Sequence, residues 1–236
     1  TIQRAAAFIA MFCVIIAMLI TSFQIAIYGD PDYRFYQKEY EKYQVTESLY
    51  MDMEDVMEVT SYMMDYLIGN KAELSVITDV DGETQDFFNE QDRLHMEDVK
   101  NLFLGGLKLR TVMLLLAAVL VLFLILTKAD LKKMLTGAYF AALGVFAVLI
   151  AGLLFSFAVD STASFTVFHE IFFTNDLWMF DPAEDYMIRM LPEGFFYDMV
   201  MRIGAFFVGG LVLLFAVMMA VRQKAFWKYR GKTGEK

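Results

Sequence analysis

The sequence predicts an all-α membrane protein, a four-transmembrane-helix bundle with a small extracytoplasmic α+β cap between spans 1 and 2. Three observations carry that prediction. Of 236 residues 58% are hydrophobic and the mean hydropathy is +0.48, well above the composition of a soluble globular domain. Four runs, 5–28, 108–127, 134–158 and 199–221, are long and apolar enough to cross a hydrocarbon core at about 1.5 Å per residue, and none contains a proline. Charge is sorted along the chain, with bases gathered in some of the connecting segments and acids in the others.

Residues 5–28 (AAAFIAMFCVIIAMLITSFQIAIY) are too long an apolar run for a cleaved export signal and lack an A-x-A-like end, so they are read as a retained transmembrane helix. The single cysteine, Cys13, lies inside this run. One cysteine excludes an intramolecular disulfide, and Ala10-Met11-Phe12 is not the small-residue approach of a lipidation site, so Cys13 reads as a core residue.

The segment 29–107 is long enough to fold on the membrane surface. From Leu49 the apolar positions Met53, Val56, Met57, Met63 and Leu67 recur at helical spacing, and Gly69-Asn70 is a helix stop. LSVITDVDGETQDFF then alternates and turns at Asp81-Gly82, the signature of a hairpin with a type I′ turn. RLHMEDVKNLF (93–103) is helical in pattern, with Leu94, Val99, Leu102 and Phe103 on one side and Asp98 one turn after His95. Gly105-Gly106 loosens the entry to the second span. A short loop, 128–133, precedes the third span; a second long segment, 159–198, precedes the fourth; and 222–236 form a basic tail.

Charge orients these elements, because short cytoplasmic segments collect lysine and arginine. The tail carries Arg222, Lys224, Lys228, Arg230, Lys232 and Lys236, and the loop KADLKK carries three lysines against Asp130. Both are expected inside, which puts both termini in the cytoplasm and 29–107 and 159–198 outside. Residues 29–101 hold 19 acids against 6 bases, and 159–198 hold 8 acids against Arg189 alone. Acidic outer loops are also what translocation favours, so this charge does not by itself select a substrate.

The chain has only two histidines. His95 precedes the second span, and His169, in FTVFHEIFFTNDLWMF, follows the third. Topology puts both on one face at membrane-surface depth, each beside carboxylates, with Trp178 and its aromatic neighbours suited to the headgroup zone. A joint site follows from that coincidence. A zinc site would have to recruit Asp98, Glu97 or Glu170, and the chain has no H-E-x-x-H. It has no G-x-S-x-G either, and Ser161 and Ser164 sit in no nucleophile setting. General acid–base chemistry is what a histidine pair serves without further parts. A metal-dependent membrane hydrolase and a non-enzymatic sensor or accessory protein stay open as alternatives; the spans lack the intramembrane acids of an ion path.

HMEDVK at 95–100, FHEIFFTNDLW at 168–178, Asp181-Pro182 and MLPEGFFYD at 190–198 together resemble the bacterial four-span family that contains the lipoprotein intramolecular transacylase. The resemblance implies transfer of the sn-2 acyl chain of a diacylglyceryl-cysteine to the α-amino group of that same cysteine, giving a lyso-form lipoprotein. It implies catalysis by His95 and His169, a diacylated lipoprotein and membrane lipid as partners, no cofactor, no metal and no nucleic acid, and a place in the plasma membrane of a Gram-positive bacterium with the site at the outer leaflet. Asp98 and Glu170 are candidates for fixing the imidazole tautomers, and Asn175 and Arg189 for donating to the oxyanion.

Overall fold

A computed structural model describes the backbone of residues 2–233. The side chains of 154, 158, 161 and 221–236 lie outside the described residues, and with them the basic tail from Arg222 to Lys236. In chain order the elements are α1 (Ile2–Tyr28), α2 (Arg34–Lys42), α3 (Val45–Leu49), α4 (Met53–Leu67), β1 (Ile77–Val80), β2 (Glu83–Asp86), α5 (Glu90–Leu126), α6 (Leu131–Val159), α7 (Ser161–Phe172), α8 (Tyr186–Met190) and α9 (Glu193–Thr233). They form two compact units, one of Thr1–Phe23, Leu109–Val159 and Gly204–Lys236, the other of Gln24–Lys108 and Asp160–Ile203.

The first unit holds the apolar parts of four helices long enough to cross a membrane. Its core is Ala6, Ala7, Ile15, Leu124, Tyr139, Ala142, Phe146, Phe207 and Leu211. Small residues set the spacing. A Cβ at Gly210 would stand 2.7 Å from the Met18 sulfur, so the Met18 side chain fills the space that glycine leaves between α9 and α1. Tyr139 donates to the Leu211 carbonyl at 3.0 Å, which satisfies a buried hydroxyl between α6 and α9. The outward side chains, such as Leu115, Val119, Val148 and Val212, are exposed and apolar, as lipid contact requires. Cys13 is buried, as expected.

The second unit is larger than the cap expected between the first two runs, because residues 160–203 join it. Helix α4 buries Val56, Val59, Thr60, Met63, Met64 and Leu67; of the stripe expected from sequence Val56, Met63 and Leu67 are buried, while Met53 and Met57 are half-buried. Tyr40 from α2 bonds Thr60 at 2.7 Å, and Tyr36, Tyr40 and Phe195 close an aromatic cluster over it. Strands β1 and β2 pair antiparallel from Ile77↔Asp86 to Val80↔Glu83. Asp81 and Gly82 have φ of 53° and 81°, the two left-handed positions of a type I′ turn. Asp86 then accepts from the Val76 and Phe88 amides at 3.2 and 3.0 Å, and Phe87 and Phe88 turn into the core.

Helix α5 begins with a reciprocal cap. The Asp92 amide donates to Asn89 Oδ1 at 2.9 Å and the Asn89 amide to Asp92 Oδ2 at 3.0 Å. From there α5 runs unbroken through Gly105-Gly106, so these glycines do not loosen the entry to the second span. A helix interrupted by neither proline nor an unpaired amide tolerates glycine at about 1 kcal/mol each.

Candidate active site

The two histidines meet in the second unit. His95 lies in the second turn of α5, on the face that also buries Asp92 and Met96, and His169 lies in the last turn of α7. Their ring centroids are 6.3 Å apart with planes inclined at 31°. Aromatic rings surround the pair. His95 meets Phe173 and Phe180 edge-on at 5.1 and 5.3 Å, while His169 stacks on Trp178 at 4.8 Å and packs against Phe165 at 4.0 Å. His95 is 6% exposed and His169 9%.

Local structure explains each placement. Asp160 caps α7 by accepting from the Ala163 amide at 2.9 Å, which starts the helix two turns before His169. The loop after α7 is held to α5 by Gln91, whose Nε2 donates to the Leu177 and Met179 carbonyls at 3.1 and 3.0 Å. That clamp brings Trp178 and Phe180 against the imidazoles.

His169 Nδ1 lies 2.8 Å from the Phe165 carbonyl. A carbonyl only accepts, so Nδ1 carries the proton and Nε2 keeps its lone pair. Burial lowers the pKa of this ring, against the opposing pull of the Phe165 bond. His95 is lowered further, to about 4, chiefly by burial and then by repulsion from His169, with Asp98 pulling the other way. Both rings are neutral at pH 7 and able to take a proton.

The supporting candidates fare unevenly. Trp178 stands in the site. Asp98 does not bond His95; its Oδ2 accepts from Asn175 Nδ2 at 2.8 Å, and Asn175 Oδ1 accepts from the Leu177 amide at 3.1 Å. Asp98 and Asn175 therefore tie the loop to α5, with Asp98 bonded to Asn175 and not to His95. Glu170 is exposed, and the Phe165 carbonyl does the tautomer-fixing assigned to it. Arg189 is committed elsewhere, in a two-pronged pair with Asp81 at 2.8 Å for each contact and a bond to the Ser48 carbonyl. It fastens the hairpin tip, so it is not the oxyanion donor. Phe165, Phe173 and Phe180, expected from sequence only to settle in the headgroup zone, instead pack against the imidazoles, and Asp92 was not singled out in the sequence. Among the described residues no three His, Cys, Asp or Glu side chains are grouped as a metal-ligand set.

The family model of the lipoprotein intramolecular transacylase Lit matches residues 8–196. A solved structure of the membrane integral Lit from Bacillus cereus is similar at 20% identity and a TM-score of 0.75, covering 96% of this chain and 98% of that one. Two further structures of the same protein, one with a histidine-to-arginine and one with a histidine-to-alanine mutation, are similar at 20% identity with TM-scores of 0.75 and 0.74; the first covers 96% of this chain and 95% of its own, the second 95% and 96%. At that identity they establish the fold. No curated protein matches.

Proposed function

We propose, from the premise that this chain belongs to the lipoprotein intramolecular transacylase family, that it moves the sn-2 acyl chain of a diacylglyceryl-cysteine lipoprotein to the α-amino group of the same cysteine. The observation that carries this reading is the pair of buried, neutral imidazoles 6.3 Å apart in an aromatic surround. The substrate α-amine has an ordinary pKa of about 7.7–8.0, so part of it is already neutral and nucleophilic at neutral pH, and one proton must leave its nitrogen as the bond forms. The amine nitrogen attacks the ester carbonyl carbon, and His169 Nε2, with its lone pair free, takes the proton. The tetrahedral intermediate collapses by breaking the bond from the acyl carbon to the glyceryl oxygen, and the same proton is returned to that oxygen. An amide and an alcohol result, with nothing gained or lost.

No enzyme nucleophile is required, because amine and ester are tethered in one substrate and the site need only fold them together. The aromatic rings keep water from the imidazoles, which favours the amine over water as the attacking group. We further propose that the site faces the outer leaflet with both termini cytoplasmic, a reading supported by the lysines of 128–133 and the acids of 29–101. Mass spectrometry tests the function. Incubation with purified protein should leave the mass of a diacylated lipopeptide unchanged while fragmentation finds one acyl chain on the cysteine nitrogen; loss of one chain by hydrolysis, or no change in fragmentation, would sink the reading.

A further inference from the structure

The loop after α7 is pinned on both sides of Trp178. Gln91 Nε2 donates to the Leu177 and Met179 carbonyls at 3.1 and 3.0 Å, and Asn175, itself bonded to Asp98 at 2.8 Å, accepts from the Leu177 amide at 3.1 Å. These bonds place one half-buried indole. It lies on His169 with ring centroids 4.8 Å apart and planes inclined at 28°, the most nearly parallel ring against either imidazole. Phe165 is nearer to His169, at 4.0 Å, but tilted by 44°, and His95 is met by Phe173 and Phe180 at 60° and 76°.

A cover against water needs bulk and no fixed inclination. What a parallel indole adds is the negative face of its π system, which attracts a cation within about 6 Å of the ring centre, more strongly for Trp than for Phe. We propose that Trp178 is the positioning residue of His169: its indole face holds the imidazolium that forms when Nε2 takes a proton, and so makes a buried ring a usable base. That the proton comes from a substrate amine rests on the transacylase reading; the attraction of the indole for a charged His169 rests on the stack alone.

In the reaction the amine nitrogen gives one proton to His169 Nε2 as its bond to the acyl carbon forms. The imidazolium lasts as long as the tetrahedral intermediate, with Nδ1–H on the Phe165 carbonyl, and the proton passes to the glyceryl oxygen as the ester bond breaks. Trp178 exchanges nothing and lowers the energy of the charged interval. The titratable groups nearby are His95 on α5, 6.3 Å away and kept neutral by burial, Asp98 on α5, bonded to Asn175, and Glu170 on α7, which is exposed. The indole and the Phe165 carbonyl are therefore the groups in contact that favour the new charge. A cover and a cation holder differ in sign: losing a cover admits water and raises the pKa of the ring, whereas losing a π face that holds the cation lowers it.

The chain has only two imidazoles, so ¹⁵N-histidine spectra of the full-length protein in detergent follow both, with His95→Gln assigning the signals of His169. In Trp178→Leu the pKa of His169 should fall by about one unit, and in Trp178→Phe by less. An unchanged or raised value would overturn the proposal, and Trp178→Phe decides by the same rule if Trp178→Leu does not fold. Fluorescence reads the contact itself. The chain has two tryptophans, Trp178 and Trp227, so Trp227→Phe leaves one reporter. A touching imidazolium quenches indole emission, so emission should drop as pH falls through the pKa of His169 and should not drop in His169→Gln; the same drop in that variant would overturn the stack. With a dipalmitoyl lipopeptide at pH 8, Trp178→Leu should lower kcat about ten-fold and Trp178→Phe should restore part of it; a wild-type kcat in Trp178→Leu would overturn the catalytic half. The titrations need no substrate, so a lowered pKa without amide product from wild-type protein would count against the transacylase reading alone, and amide product with an unmoved pKa against Trp178 alone.

Discussion

A histidine in water is half protonated near pH 6.5, whereas His95 stays neutral to about 4 because burial withholds the solvation an imidazolium needs. That difference is a stability statement with a definite sign. The unfolded chain takes up the proton first as pH falls, so the contribution of neutral His95 is fully present above about 6.5 and is lost on the way to 4, by about 3 kcal/mol. Wild-type protein should therefore lose melting temperature relative to His95→Gln between pH 7 and 4.5; a constant difference across that range would show that the ring is not desolvated. For catalysis, His95→Ala or His169→Ala should cut transfer by about 10²- to 10⁴-fold in protein that still folds, and a variant keeping more than a tenth of wild-type turnover would remove that residue from the site. The histidines were legible because a chain with only two of them placed both outside its apolar runs. Asp92 was not, since an acid in the first turn of a helix reads as a cap, and the bonding of Asp98 to Asn175 joins residues 77 positions apart that no local spacing connects.

Among the elements, the hairpin shows what local sequence can specify. Asp81-Gly82 demands two left-handed residues, and the chain turns there in the expected register. What fixes its tip was invisible: Arg189, 108 residues on, grips Asp81 with both terminal nitrogens. Arg189→Ala should cost stability, about 1–2 kcal/mol for charged hydrogen bonds at a partly exposed site, and should spare acyl transfer. A folded Arg189→Ala protein with a hundred-fold loss of kcat would return the guanidinium to the chemistry. Helices α2 and α3 escaped the sequence reading for another reason. Their boundaries are left-handed turns at Tyr33, Gln44 and Tyr50, residue types that seldom adopt positive φ and signal nothing in sequence. Tertiary packing holds them, with Tyr36, Tyr40 and Leu49 buried in the core of the second unit.

At the scale of the whole molecule, the membrane class and the four spans were written in composition and run length, because a bilayer imposes those on any chain that crosses it. The union of 24–108 with 160–203 was not written there; it depends on side chains of one segment, such as Gln91 and Asn89, finding partners in the other that hydropathy does not encode. Activity should survive a strong chelator. Loss on chelation and recovery on zinc would move the protein to the metal-dependent hydrolases. The central claim is that one substrate molecule supplies both amine and acyl chain to a pair of histidines, and a crossover experiment tests it most directly. A dipalmitoyl lipopeptide presented in phospholipid of a different chain length should keep its total mass while one palmitoyl moves from ester to amide, and the same peptide with its amine acetylated should be inert. The host lipid's chain on the cysteine nitrogen, or an acylated protein trapped by rapid acid quench, would contradict it.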